Sequence, residues 1–331
     1  MQLYKEQGPH IHSVNSASAT LFDVILALLA PVCMAVFYYG FRAFFLVLTS
    51  CVVCLLADYL GMFLRTRTID FSDRSAAITG LILALMLPAS VPYWMVVIGG
   101  LFAILVVKQP FGGFGKNIFN PAAAAFAFLA ICWTPRVFTF PLPLADLPVF
   151  GEATVRLTPG MLLSLQNGAM PSNSWFDVLL GNYPGPMGGT SVLVLASCLI
   201  FLLFRRSIRF QATVGYLLSV AGVAFLVPRV LEHQGASVFY EVFSGYTLFI
   251  AIFVITDMIT APKRRGALWL YALIAGMLTM AFRMVGSLPD ASLFAILFAN
   301  AISGALDTWL YDDRFVSKWL MKGGRRREKA A

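Results

Sequence analysis

Charge is scarce in this chain. Only 12% of its 331 residues are charged, against 59% hydrophobic, where a soluble domain carries about 25% charged residues. Histidine is nearly absent, with three in all, and no Cys/His spacing of a zinc site occurs. There is no Walker loop, and no strand leads into a glycine fingerprint, so nucleotide folds of that kind are excluded. No catalytic triad can be assembled. The period-2 alternation of a membrane barrel is missing too. A cleavable signal peptide is not expected, because the first apolar run begins near Phe22 and is followed at once by another.

What the chain has instead is apolar runs of membrane length. Ten spans are expected, at Phe22–Phe41, Ala43–Leu64, Ser75–Pro88, Tyr93–Val107, Asn120–Thr134, Gly189–Phe204, Gln211–Val227, Phe243–Thr260, Ala267–Val285 and Ser292–Tyr311. The net charge of +8 sits between these runs. Topology explains it better than nucleic acid, which is not expected as a partner. With ten spans, 19 of the 24 Lys and Arg fall on the side of the N-terminus and five on the other. The positive-inside rule then puts both termini in the cytoplasm. The cysteines, Cys51-x-x-Cys54 included, lie in or beside apolar runs and read as small buried hydrophobes.

Four regions follow. Residues 1–134 form an N-terminal half of five spans, 135–188 a proline-rich extracytoplasmic loop, 189–311 a second half of five spans, and 312–331 a basic tail. An odd span count per half makes the halves enter from opposite sides, the arithmetic of an inverted repeat. The third span of each half is interrupted, "AITGLILALMLP" at Pro88 and "FVITDMITAP" at Pro262. Paired broken segments point to a central binding site.

Two stretches could carry chemistry. In the loop after Lys108, Gly112, Gly113 and Gly115 permit positive φ, and Asn117 and Asn120 can bond backbone or ligand. This loop is either a packed re-entrant turn or the lining of a cofactor or ion path. Asp257 lies in an otherwise apolar span between Thr256 and Thr260. A carboxylate there is costly and normally faces a partner or water. With its hydroxyl neighbours it offers hard oxygen ligands for a small cation or a proton, or else it caps a helix end. Asp23, Asp58 and Asp307 read as boundary or packing carboxylates. Composition alone leaves a ten-span transporter or a membrane electron carrier.

Taken in order, "DRSAAITGLILALMLP" (73–88), "GGFGKNIFNPA" (112–122), "LLGNYPGPMGGTS" (179–191), "TDMITAPKRRG" (256–266) and "GSLPDASLFAILFANAISGALD" (286–307) resemble the RnfD/NqrB family. These are the large membrane subunits of ion-translocating electron-transport complexes of the Rnf type, and the chain's length favours the RnfD side. The resemblance implies an all-α integral membrane protein of the bacterial or archaeal inner membrane, inactive alone. It would serve a translocase in which ferredoxin or NADH electrons pass through flavins and drive Na+ or H+ transport. It implies FMN, a second noncovalent flavin such as riboflavin, and other membrane and peripheral subunits as partners. It also places the glycine–asparagine loop in the core around flavin and ion path. The family esterifies FMN to an outward-facing threonine, with the help of a flavin transferase. The matching stretch is "EATVRLTPG" (152–160), with Thr158 at the acceptor position. Glu152, Val155 and Leu157 depart from the family's Asp-x-x-Ser/Thr-x-Ala-Thr pattern there, and Gly189 replaces its usual glutamate. A stand-alone solute carrier and the scaffold of another flavin-based electron-export relay are the alternative readings.

Overall fold

A computed structural model describes residues 17–67, 74–151, 157–230 and 234–309. Helix α1 runs Ala17–Thr66 and is broken at Gly40, whose φ of 65° and ψ of −158° are not helical. The two expected first spans are therefore two helices that meet at this break. The break falls where only glycine adopts the required angles without strain. After it come α2 (Ser75–Met86), α3 (Tyr93–Leu101) continuing as a π-helix (Phe102–Lys108), and α4 (Pro121–Cys132). The loop region folds into α5 (Thr134–Val137), an antiparallel pair β1 (Thr139–Pro141) and β2 (Leu157–Pro159), α6 (Met161–Gln166) and α7 (Trp175–Leu180). The second half supplies α8 (Val192–Phe204), α9 (Phe210–Leu226), α10 (Gln234–Phe243) and α11 (Thr247–Phe249), which runs on as a π-helix (Ile250–Val254). It ends with α12 (Arg265–Val285) and α13 (Ser292–Trp309).

The chain is predominantly helical, and each expected span contains helix. By length and apolarity, three helices among the described residues can cross a bilayer, namely α1, α12 and α13. A fourth span arises if α10 and the 247–254 segment, bent by 55°, count as one. The expected span Phe243–Thr260 is thus a break at Gly245 (φ 67°), a short helix and a turn. The end of the last expected span, the basic tail, and residues 152–156 of the flavin-acceptor stretch lie outside the described residues.

The short third helix of the first half is capped from a distance. Leu85 and Leu87 carbonyls, left free before Pro88, accept from Gly188 N at 2.8 Å and Met187 N at 3.2 Å. Those backbones meet because a Cβ at Gly188 would lie 2.6 Å from Leu85 Cβ. The glycine-rich 179–191 stretch therefore completes a broken helix, as buried carbonyls require.

Helix packing buries several charges that sequence reading placed in interfacial loops. Arg42 is fully buried and donates to the Ala89, Val91 and Pro148 carbonyls at 2.7, 3.2 and 2.7 Å. Arg283 is fully buried in the last turn of α12, and Arg229 pairs with buried Glu241. Lys108 is buried as well.

Candidate functional site

The glycine loop forms at the end of the first π-helix. Gly112, Gly113 and Gly115 adopt φ of 114°, 81° and 86°. Gly112 N and Gly113 N donate to the Gln109 and Lys108 carbonyls at 3.1 and 3.2 Å, which closes the helix end. An added Cβ would meet Lys116 Cδ at 2.6 Å from Gly112 and the Arg65 guanidinium at 3.1 Å from Gly113. Around Gly115 there is open space, so only its φ demands glycine. The glycines shape the turn, and Asn117 and Asn120 after them are buried.

Asn120 is the N-cap of α4. Its Oδ1 accepts from Ala122 N and Ala123 N, both at 3.1 Å, with Pro121 in the first turn, where its missing N–H costs nothing. That cap fixes the amide, and Asn120 Nδ2 reaches Asp257 Oδ2 at 3.4 Å. Asp257 follows the second π-helix, where the backbone leaves the helix. Its Oδ2 also accepts from Thr260 Oγ1 at 3.1 Å, and its Oδ1 from Ile259 N at 3.2 Å. A carboxylate offers about four lone-pair sites. With these donors in place, the half-buried Asp257 keeps acceptor capacity for a cation or a proton. Thr256 Oγ1 is turned back onto the Ile252 carbonyl. Asp257 thus closes a turn where the helix breaks, and it also lines a cavity.

That cavity joins the two motifs. Its walls include Phe114, Asn117, Asn120, Lys108, Thr256 and Asp257, with apolar surface from Ile78, Ile82, Ile252 and Phe253. The space inside it is about 70 Å³, room for several water-sized groups. Asn117 is 8% exposed, and its Oδ1 has no hydrogen-bond partner among the described residues. A buried polar atom without a partner costs roughly 1–3 kcal/mol. A ligand with a donor at its edge would satisfy it. The walls are mostly apolar, and Asn117, Asn120 and Asp257 give them a polar edge. Thr260 supports Asp257 from behind, and Gly112, Gly113 and Gly115 are not in the lining.

Thr158 lies elsewhere. It sits half-buried on β2 opposite Phe140, and its Oγ1 donates to the Phe140 carbonyl at 3.2 Å. A phosphoester on that oxygen would remove this bond. Gly160 and Phe140 border a second, smaller cavity with Tyr183, Tyr246 and Asp290.

The boundary carboxylates hold the bundle together. Asp23 pairs with Arg205 at 2.9 Å and accepts from Ser207 Oγ at 2.6 Å. Asp307 accepts from Lys263 N and Arg264 N at 2.9 and 3.2 Å, which caps α12. Sequence reading missed Lys108 as a buried side chain and overlooked the Arg283 network. In that network Arg283 Nη1 meets Glu241 Oε2 at 3.0 Å, and Nη2 meets Asp290 Oδ2 at 2.9 Å and Thr247 Oγ1 at 2.8 Å. The available signals were an arginine inside the apolar run "MAFRMV" and a glutamate inside "VFYEVF".

A profile of the NQR2, RnfD, RnfE family matches residues 4–315. One component of the Na+-translocating ferredoxin:NAD+ oxidoreductase complex of Acetobacterium woodii is 31% identical, over 93% of each chain. Its counterpart in the proton-translocating ferredoxin:NAD+ oxidoreductase complex of Clostridium ljungdahlii is 28% identical, over 93% of this chain and 94% of the relative. The counterpart in an ion-translocating oxidoreductase complex of Actinobacillus succinogenes is 29% identical, over 91% and 94%.

Proposed function

Because this chain belongs to the NQR2, RnfD, RnfE family, we infer that it is a membrane subunit of an ion-translocating oxidoreductase complex. Such a subunit acts with partner subunits of the Rnf type and couples electron transfer to Na+ or H+ movement. The observation that carries this reading is the family match over residues 4–315, joined to a cavity that brings "GGFGKNIFNPA" and "TDMITAP" together.

In our reading that cavity holds a noncovalent flavin. Asn117 and Asn120 would meet the polar edge of the ring, and Ile78, Ile82, Ile252 and Phe253 would flank its faces. Phe114 and the α4 N-terminus exclude water from one side. The flavin, when bound, supplies one- and two-electron transfer; the chain supplies position, dryness and a carboxylate. Asp257 holds the ion or proton whose charge accompanies the electrons, oriented by Asn120 and Thr260. A covalent FMN, if a flavin transferase attaches one, belongs on Thr158 in the loop on the opposite side of the membrane.

Ten spans in two inverted halves remain our reading of the topology. Matching clamps support it. Arg42, just before the expected second span, donates to the Ala89 and Val91 carbonyls just past Pro88. Arg209, just before the second span of the other half, donates to the Pro262 and Lys263 carbonyls at 2.9 and 3.0 Å. Close second-to-fourth packing also recurs. A Cβ at Gly100 would meet Val53 Cγ1 at 3.0 Å, and one at Gly276 would meet Ser219 Cβ at 2.6 Å. Burial also sharpens the charge bias. Setting aside the buried Lys108, Arg42, Arg229 and Arg283 leaves 18 basic residues on the side of the termini and two on the other, which favours cytoplasmic termini.

The test is flavin retention. The full chain in lipid nanodiscs should bind riboflavin, and Asn117→Leu should weaken that binding at least tenfold. Equal affinity in parent and variant would remove the cavity from the flavin reading.

A further inference from the structure

The cavity has a charged residue on its wall that neither the flavin contacts nor the ion site uses. Lys108 is 1% exposed, and its Nζ lies 3.0 Å from Asp58 Oδ2. The local sequence builds this pair. The π-turn widens the helix, as the bond from Gln109 N to the Ile104 carbonyl at 2.9 Å shows. Consecutive residues can then turn to one partner, and Gln109 Nε2 reaches Asp58 Oδ1 at 2.6 Å. Gly61 makes room, because a Cβ there would lie 2.5 Å from Gln109 Cγ.

Lys108 lines the cavity, whereas Asp58 and Gln109 do not. Lys108 and Asp257 are the charged residues of the lining, and Asp58 holds the Lys108 ammonium beside it. Desolvating an ion pair costs about as much as its attraction returns. Stability alone is therefore a weak reason to keep one at this place, and an ionisable group at membrane depth points to function.

We propose that Lys108 sets the charge preference of the cavity: it favours a bound flavin in its reduced, anionic form over its oxidised, neutral form, with Asp58 as the counter-ion that holds it. The proposal rests on the flavin reading above. The oxidised isoalloxazine ring is neutral. Two electrons and one proton make it an anion, with the charge at its N1–O2 edge. An ammonium in a dry cavity lowers the free energy of that anion and leaves the neutral ring nearly unaffected. An opposite charge within contact range shifts such an equilibrium by about ten- to a thousandfold. Lys108 is a positioning and tuning residue; electrons come from the complex's donors, or from dithionite in the test.

The experiment uses the full chain in nanodiscs with riboflavin as probe. Dissociation constants are measured for the oxidised probe and for the dithionite-reduced probe under anaerobic conditions. The ratio of oxidised to reduced constants should fall at least tenfold in Lys108→Met, or about 30 mV in a two-electron potential. It should rise in Asp58→Asn, which removes the competing anion. Opposite signs are not expected of residues that merely pack. Should either single variant fail to fold, the double variant Lys108→Met/Asp58→Asn leaves no lone buried charge and should still show a lower ratio than the parent. A ratio unchanged in Lys108→Met or in the double variant, with binding still sensitive to Asn117→Leu, would overturn this inference and leave the flavin reading standing. Binding insensitive to Asn117→Leu would remove both.

Discussion

Replacing Arg283 by methionine should cost more stability than any surface change in the protein. Arg283 is 0% exposed and uses its whole guanidinium fork. Nε and Nη2 take the two oxygens of Asp290 at 3.2 and 2.9 Å, Nη1 takes Glu241 Oε2 and the Glu241 carbonyl, both at 3.0 Å, and Nη2 also takes Thr247. These partners flank the break at Gly245, so one side chain joins α10, α11, α12 and the start of α13. In Arg283→Met the methionine fills most of the volume but leaves Asp290 buried without its cation. Glu241 still has Arg229. Breaking a buried pair from one side costs about 3–5 kcal/mol, whereas removing both charges together is close to neutral. Arg283→Met should therefore lose most of its folded fraction at temperatures where the parent survives, and Arg283→Met/Asp290→Asn should recover most of that loss. Arg283→Lys should behave more like Met than like Arg, because an ammonium cannot span both carboxylates and Thr247 in one plane. The assay is fluorescence-detected size exclusion of detergent-solubilised chain after heating steps. An apparent melting temperature equal in the parent and Arg283→Met would refute the claim that this network holds the broken helix. So would a double variant no better than the single one.

Asp257→Asn keeps the shape and the Asn120 contact while removing the charge, so in the assembled complex ion uptake into vesicles should fall while subunit assembly persists. Unchanged uptake would make Asp257 only a cap. If co-expression with a flavin transferase gives the denatured chain a flavin fluorescence, that fluorescence should vanish in Thr158→Val and persist in Thr190→Val; the opposite pattern would move the acceptor. A single cysteine at Ser172 in a cysteine-free background should react with an impermeant thiol reagent in intact cells, and one at Gly323 should not. The reverse would invert the topology.

Much of the site was legible because membrane depth makes polar residues conspicuous. Asp257, Asn117 and Asn120 stand out in apolar sequence for the same reason they are costly there. Their meeting was not legible. Asn120 and Asp257 are 137 positions apart, and they meet where the N-terminus of α4 approaches the turn after Val254. The positive φ at Gly112, Gly113 and Gly115 was read correctly from residue type, whereas their place outside the cavity lining was not. Lys108, Arg42 and Arg283 were misplaced for one reason. A basic residue at the end of an apolar run reads as a solvated flank, and nothing local tells that carbonyls or carboxylates from distant segments will close over it.

In our reading the cavity between "GGFGKNIFNPA" and "TDMITAP" is the flavin site of an ion-translocating complex. Affinity purification of the tagged chain from its native membranes tests it most directly, with flavin content and co-purifying subunits measured for the parent and for Asn117→Leu/Asn120→Leu. The account predicts a yellow complex with several other subunits for the parent. For the variant it predicts the same subunits and less noncovalent flavin in the acid extract. A chain that purifies alone and colourless, or a variant with undiminished noncovalent flavin, would contradict it.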